Sequence, residues 1–233
     1  MGQSNSIIQK KSLKIKFIYQ NSQAFVIKYY DDMKSYRNEI YCYLQFKEDP
    51  HFLSMIHWAP CYIILPFIQY DLFYIVHNYE LTVQEFDVLF LKMVYLVKEL
   101  HAKKIEHNDI KLENFVLNPN WDVFLIDFEF MSRKNTGSFL YNGTSYYLPP
   151  ESCINSLKFE FGKKDVWSLG IIYWIYIHRK YPIDYPCRTN FYDFEKLLDD
   201  SLPPFLLSCL KFNPMDRFSS RELYDFLMIH SEN

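Results

Sequence analysis

Two hydrophobic periodicities divide this chain, and the point where one gives way to the other limits the folds open to it. Leu13–Tyr19 (LKIKFIY) alternates, and after a polar break Ala24–Tyr30 (AFVIKYY) forms a second β-rich run. A period of two places successive side chains on opposite faces of a strand. Phe52–Trp58 and Tyr62–Phe67 predict two more strands, and Tyr36–Phe46, with Ile40, Tyr43 and Leu44 able to share a face, predicts a helix. After Asp71 the spacing becomes helical. Thr82–Lys103 is a long helical pattern in which Thr82 and Glu85 have the spacing of a capping box. Lys164–Ile177 is apolar on nearly every side, as a helix surrounded by protein must be. Shorter helices are predicted over Phe191–Leu198, Pro204–Leu210 and Ser220–His230, and short strands at Phe115–Leu117 and Val123–Ile126 flank the turn Asn118-Pro119-Asn120. A β-rich first third joined to a helical remainder is an α+β, two-lobed plan.

Composition agrees with one packed domain. The 233 residues are 49% apolar and 23% charged, far from the balance of a disordered chain. A net charge of −3 makes nucleic acid an unexpected partner. Five scattered cysteines without a C-x-x-C pair read as reduced thiols, so a cytoplasmic location is expected. No stretch approaches the roughly eighteen uninterrupted apolar residues of a membrane-spanning helix.

The chemistry concentrates in His107–Asn114 (HNDIKLEN), between the long helix and a short strand, and in Asp127 (LIDFEF), at the end of another. Asp109, Lys111, Asn114 and Asp127 form the minimum set for metal-assisted phosphoryl transfer. One carboxylate orients an incoming hydroxyl and an ammonium steadies the migrating charge, while an amide and a second carboxylate hold Mg²⁺ on the phosphates.

At this point the sequence resembles a family. HNDIKLEN is similar to the catalytic loop of eukaryotic-type protein kinases, and DFE to their DFG magnesium motif. The resemblance continues in order: Gly143–Glu151 (GTSYYLPPE) is similar to the close of an activation segment, and Asp165–Gly170 (DVWSLG) to the start of the buried large-lobe helix. Phe212–Phe218 (FNPMDRF) is similar to the late segment whose arginine, here Arg217, pairs with Glu151. It covers residues 13 to 230 and implies a bilobal fold, with residues 1–11 a tail, 12–68 a small β-rich lobe and 69–233 a larger helical lobe. It implies ATP and Mg²⁺ as cofactors, with Asp109 as base, Lys111 on the moving phosphoryl group, and Asn114 and Asp127 on the metal. Lys28 would grip the α- and β-phosphates and Glu39 would hold Lys28. Leu65 would stand at the back of the adenine site and Ile68 would offer the hinge N–H, since Pro66 has none. Lys111 and Thr144 are similar to the Ser/Thr version of the family, so the implied substrate is a protein hydroxyl.

Three departures bear on this. No glycine lies between Gly2 and Gly137, so nothing resembles the glycine-rich loop that brings backbone to the phosphates. Asn108 replaces the arginine that in the family clamps a phosphate on the activation segment. Ser132, Thr136 and Ser138 supply hydroxyls there, but activity independent of their phosphorylation is expected. Glu129 replaces the glycine of DFG, stiffening the segment or adding a carboxylate near the metal.

Two functions therefore stand side by side: a minimal Ser/Thr kinase, and a pseudokinase that binds or mimics another kinase or a regulatory protein. The N-terminus adds a further expectation. MGQSNS fits an N-myristoylation pattern through Gly2 and Ser6, and Lys10, Lys11, Lys14 and Lys16 follow, which together would favour a membrane surface.

Overall fold

The small lobe is an antiparallel sheet made of β1 (Ile7–Lys10), β2 (Leu13–Gln20), β3 (Gln23–Tyr30), β4 (His57–Ala59) and β5 (Tyr62–Pro66), in the order β1-β2-β3-β5-β4. The computed structural model describes residues 7–10, 13–134, 143–152, 159–182, 194 and 196–230. The lipidation pattern at Gly2 and Ser6, Lys11, the hydroxyls of Thr136 and Ser138, and residues 191–193 and 195 of the helix expected over 191–198 lie outside them; residues 196–198 are a turn and irregular chain. Strand β1 falls within the stretch read as a tail. It pairs with β2 through Ile8↔Ile15 and Lys10↔Leu13, so only two residues connect the strands. The next hairpin closes through Asn21 and Ser22, both at positive φ (50° and 63°), a two-residue turn made without glycine.

Helix α1 (Met33–Gln45) crosses the sheet, capped by Asp32, whose carboxylate accepts the N–H groups of Lys34 and Ser35. Phe52–Ile56, expected as strand, is irregular; Phe52 and Leu53 are buried and Phe52 stacks on Phe46 at 3.9 Å between ring centres. Apolar content there serves packing under α1 rather than a sheet ladder.

Past the hinge, β6 (Tyr70–Asp71) leads into α2 (Leu72–Asn78), capped by Asp71 and not foreseen from spacing. Helix α3 (Val83–Ala102) carries the capping box at its start, with Thr82 and Glu85 exchanging both bonds. Strands β8 (Phe115–Leu117) and β9 (Val123–Leu125) form a sheet with β6, while β7 (Ile105–Glu106) pairs with β10 (Ser132–Arg133). Helix α4 (Lys163–His178) is buried from Lys164 to Tyr176, with Trp167 fully enclosed. Helices α5 (Pro204–Cys209) and α6 (Ser220–His230) complete the lobe, α6 lying against α3. Gly170 is needed where α4 meets α5, because a Cβ would stand 2.8 Å from Leu210 Cδ2. Among the described residues no helix is long and apolar enough to cross a membrane.

Candidate active site

The loop between β7 and β8 is fixed from beneath by one buried carboxylate. Asp165, in the first turn of α4, accepts the backbone N–H groups of His107 and Asn108 at 2.8 Å each, and His101 Nε2 approaches it at 3.0 Å. Asn108 sits at φ 68°, a left-handed conformation that asparagine tolerates better than most residues. His107 Nε2 lies 3.0 Å from the Ile126 carbonyl, and His107 Nδ1 accepts the Asp109 N–H at 3.3 Å. Those two bonds require the proton on Nε2.

The residues singled out by motif converge on this loop. Asp109 Oδ1 accepts both the N–H and the hydroxyl of Thr144, at 2.8 and 2.9 Å. Asp109 Oδ2 faces Lys111 Nζ at 2.8 Å, and Lys111 also donates to Thr144 Oγ1 at 2.9 Å. Burial works against the Lys111 ammonium, but Asp109, Glu113 and Asp127 together outweigh it and hold the pKa above the ordinary lysine value. Asn114 donates to the Asp109 carbonyl at 2.7 Å, which leaves its amide oxygen for another partner. Gly143, at φ 118°, lets Thr144 come this close, since a Cβ would stand 2.6 Å from the Asn108 carbonyl.

On the opposite wall Lys28 of β3 bonds to Glu39 of α1 and reaches Asp127 Oδ1 at 3.2 Å. Glu39 is fully buried. Burial lowers the Lys28 pKa, but Asp127 and Glu39 more than reverse this, so the ammonium stays charged. Asp127 occupies a left-handed φ of 70°, and Phe128 behind it is buried between Tyr43 and His107. Glu129 has no positive φ, so its position makes no demand for glycine. Its carbonyl and that of Met131 accept the Asn38 amide of α1 at 2.8 and 3.2 Å. Asn38 carried no motif and could not be found by spacing; Asp165, given no role in the sequence reading, is the one carboxylate of its helix and opens the DVWSLG motif.

Between the walls lies a cleft of about 360 Å³. Ile15, Phe17 and Val26 form its roof, Val116 and Ile126 its floor, and Leu65 to Ile68 its back, while Lys28, Asn114 and Asp127 line its polar end. The Phe67 N–H is taken by the Ala24 carbonyl at 3.0 Å, whereas among the described residues the Ile68 N–H has no acceptor. The Asn114 amide oxygen and the Asp127 carboxylate are hard oxygen donors on one cleft, a donor set that fits Mg²⁺. Ser132, read as an available hydroxyl, is instead buried and donates to Glu106 Oε2 at 2.9 Å. The expected Arg217–Glu151 pair is present as a bidentate contact of 2.7 and 3.0 Å, with Trp167 beneath the guanidinium.

A family model described as the protein kinase domain matches residues 5–227. The chain is 32% identical over 162 residues to the serine/threonine-protein kinase ppk6 of Schizosaccharomyces pombe, covering 68% of this chain and 20% of that protein. It is 26% identical over 196 residues to the carbon catabolite-derepressing protein kinase of Saccharomyces cerevisiae, covering 78% and 31%. With the human NUAK family SNF1-like kinase 2 it shares 32% over 113 residues, covering 48% and 18%. The chain thus spans between a fifth and a third of the first two relatives. A match over nearly all of its length, joined to this two-walled cleft, means that the chain belongs to the protein kinase family.

Proposed function

We propose that this chain is an active Ser/Thr protein kinase, which moves the γ-phosphate of Mg-ATP to a protein hydroxyl. The observation that carries the reading is the assembled state of both walls: Lys28 bonded to Glu39 and Asp127, and Asp109 bonded to Lys111 and Thr144.

In this reading Asp109 orients the substrate hydroxyl and takes its proton as the oxygen bonds to the γ-phosphorus. The bond from that phosphorus to the β-phosphate oxygen breaks, and ADP leaves. Lys111 opposes charge on the transferring group. Asn114 and Asp127 hold Mg²⁺, which supplies charge neutralisation on the phosphates. Lys28 holds the α- and β-phosphates, Glu39 holds Lys28, and Ile68 offers its N–H to adenine. Thr144 donates to Asp109 and accepts from Lys111, bracing the base and the cation, which also pair directly at 2.8 Å.

One observation favours the second reading, a pseudokinase binding module: the two residues that connect β1 and β2 include no glycine. Transfer of γ-phosphate to a generic basic protein separates the two. Wild type is expected to transfer, and Asp109→Asn and Asp127→Asn are expected to lose transfer while staying folded. No transfer by wild type, together with no thermal stabilisation by Mg-ATP, would replace the enzyme reading with the binding module.

A further inference from the structure

Asn108, Ser132 and Glu106 are all buried, and their polar groups run in one donor direction. The Asn108 amide donates to the Phe130 carbonyl at 3.1 Å and to Ser132 Oγ at 3.0 Å. Ser132 Oγ in turn donates to Glu106 Oε2 at 2.9 Å, and Glu106 Oε1 accepts the Gly162 N–H at 2.7 Å, just before α4. The backbone follows the same line, with Ser132 and Glu106 as direct partners in the β7–β10 pair. Together they tie three pieces of chain: the loop carrying Asp109, the segment leaving Asp127, and the start of the helix that carries Asp165. The Asn38 bonds to the Glu129 and Met131 carbonyls grip that segment from the other side.

Every bond of the clasp is made by a group of the protein itself. A cation at position 108 would be an unpaired buried charge until an anion arrived; the neutral Asn108 amide leaves no charge, only its oxygen buried without a hydrogen-bond partner among the described residues. We propose that Asn108, Ser132 and Glu106 are positioning residues, forming a permanent clasp that holds Asp127 in register with Asp109 without any phosphate on the segment that follows Asp127. This rests on the kinase reading above and adds to it how the active arrangement is kept. It also turns Ser132 from a modification site into a structural hydroxyl, so its replacement tests the clasp rather than phosphorylation.

The test uses the full chain, phosphatase-treated, as wild type, Ser132→Ala, Ser132→Thr and the Thr136→Ala/Ser138→Ala double variant. Ser132 borders a surface cavity with Asn38 and Tyr41, and Ser132→Thr keeps the hydroxyl. Phosphatase-treated wild type and the double variant are expected to keep their rate. Ser132→Ala leaves the Glu106 carboxylate short of a donor, and kcat is expected to fall about tenfold or more with the KM for ATP unchanged. Ser132→Thr should restore kcat. Amide hydrogen exchange at residues 130–133 and at Gly162 should quicken in Ser132→Ala alone. Loss of activity on phosphatase treatment, or a Ser132→Ala protein matching wild type in both kcat and exchange, would overturn the clasp. A wild type inactive under every condition would sink the kinase reading instead, and the exchange result would still decide whether the clasp exists.

Discussion

His107 shows how far a single buried side chain shapes the behaviour of this site. Burial is the main reason its pKa lies below the ordinary histidine value, against the pull of Asp165 and Asp109. The unfolded chain takes up a proton here below about pH 6.5, while the folded protein resists it until lower pH. The stability this residue contributes is therefore complete above that value and lost as pH falls through it. Burial of Glu106 raises its pKa and works in the opposite sense, so the net wild-type slope is not the readout. His107→Gln retains a donor and an acceptor but cannot titrate. Between pH 7.5 and 5.5 wild type should lose stability relative to this variant, by at most about 1.4 kcal/mol per pH unit. Parallel denaturation curves would refute the assignment. At this scale the gathering of Asp109, Lys111, Asn114 and Asp127 around one cleft was legible, because each stands in a motif that resembles those of the family. Ser132 was misread because a hydroxyl looks the same in sequence whether it faces water or, through the register Ser132↔Glu106, a buried carboxylate.

Among elements, the contact that matters most joins β3 to α1. Lys28 and Glu39 are both buried, so removing the lysine alone strands a carboxylate in the protein. Lys28→Met is expected to cost about 3–5 kcal/mol in urea denaturation, and Lys28→Met/Glu39→Leu to recover most of it. Neither protein should transfer phosphate. If the double variant is no more stable than the single, the pair is not the source of the loss. Elements with local signals were readable: the Thr82 capping box marks the start of α3, and apolar residues all round mark α4. Strand β1 was missed because four residues inside a polar stretch carry too little periodicity to show. Phe52–Ile56 misled for the opposite reason, being apolar enough for a strand but committed to packing against Phe46.

For the whole molecule, the question is what holds a nucleotide between two lobes when the roof is so short. The bilobal plan was evident from the switch in periodicity, and so was the lack of glycine. The physical form of that lack, two residues between paired strands, needed the register Lys10↔Leu13. With no glycine between the first two strands, the phosphates depend on Lys28 and on whatever charge Asp127 and Asn114 bring in with the metal. Lys28 is shared between Glu39 and Asp127, which leaves the group net negative and repelling the phosphates without a metal ion, so binding of ATP should be strongly linked to Mg²⁺. At a nucleotide concentration of about 100 times Kd, Mg-ATP should stabilise by about 2.7 kcal/mol, a Tm rise of several degrees for a domain of this size. The same ATP with chelator in place of Mg²⁺ should give almost none of it, and Asp127→Asn should narrow the difference between the two conditions. Equal shifts with and without Mg²⁺ would mean that the roof and hinge hold the nucleotide by themselves, and that the missing glycines are compensated by protein rather than by metal.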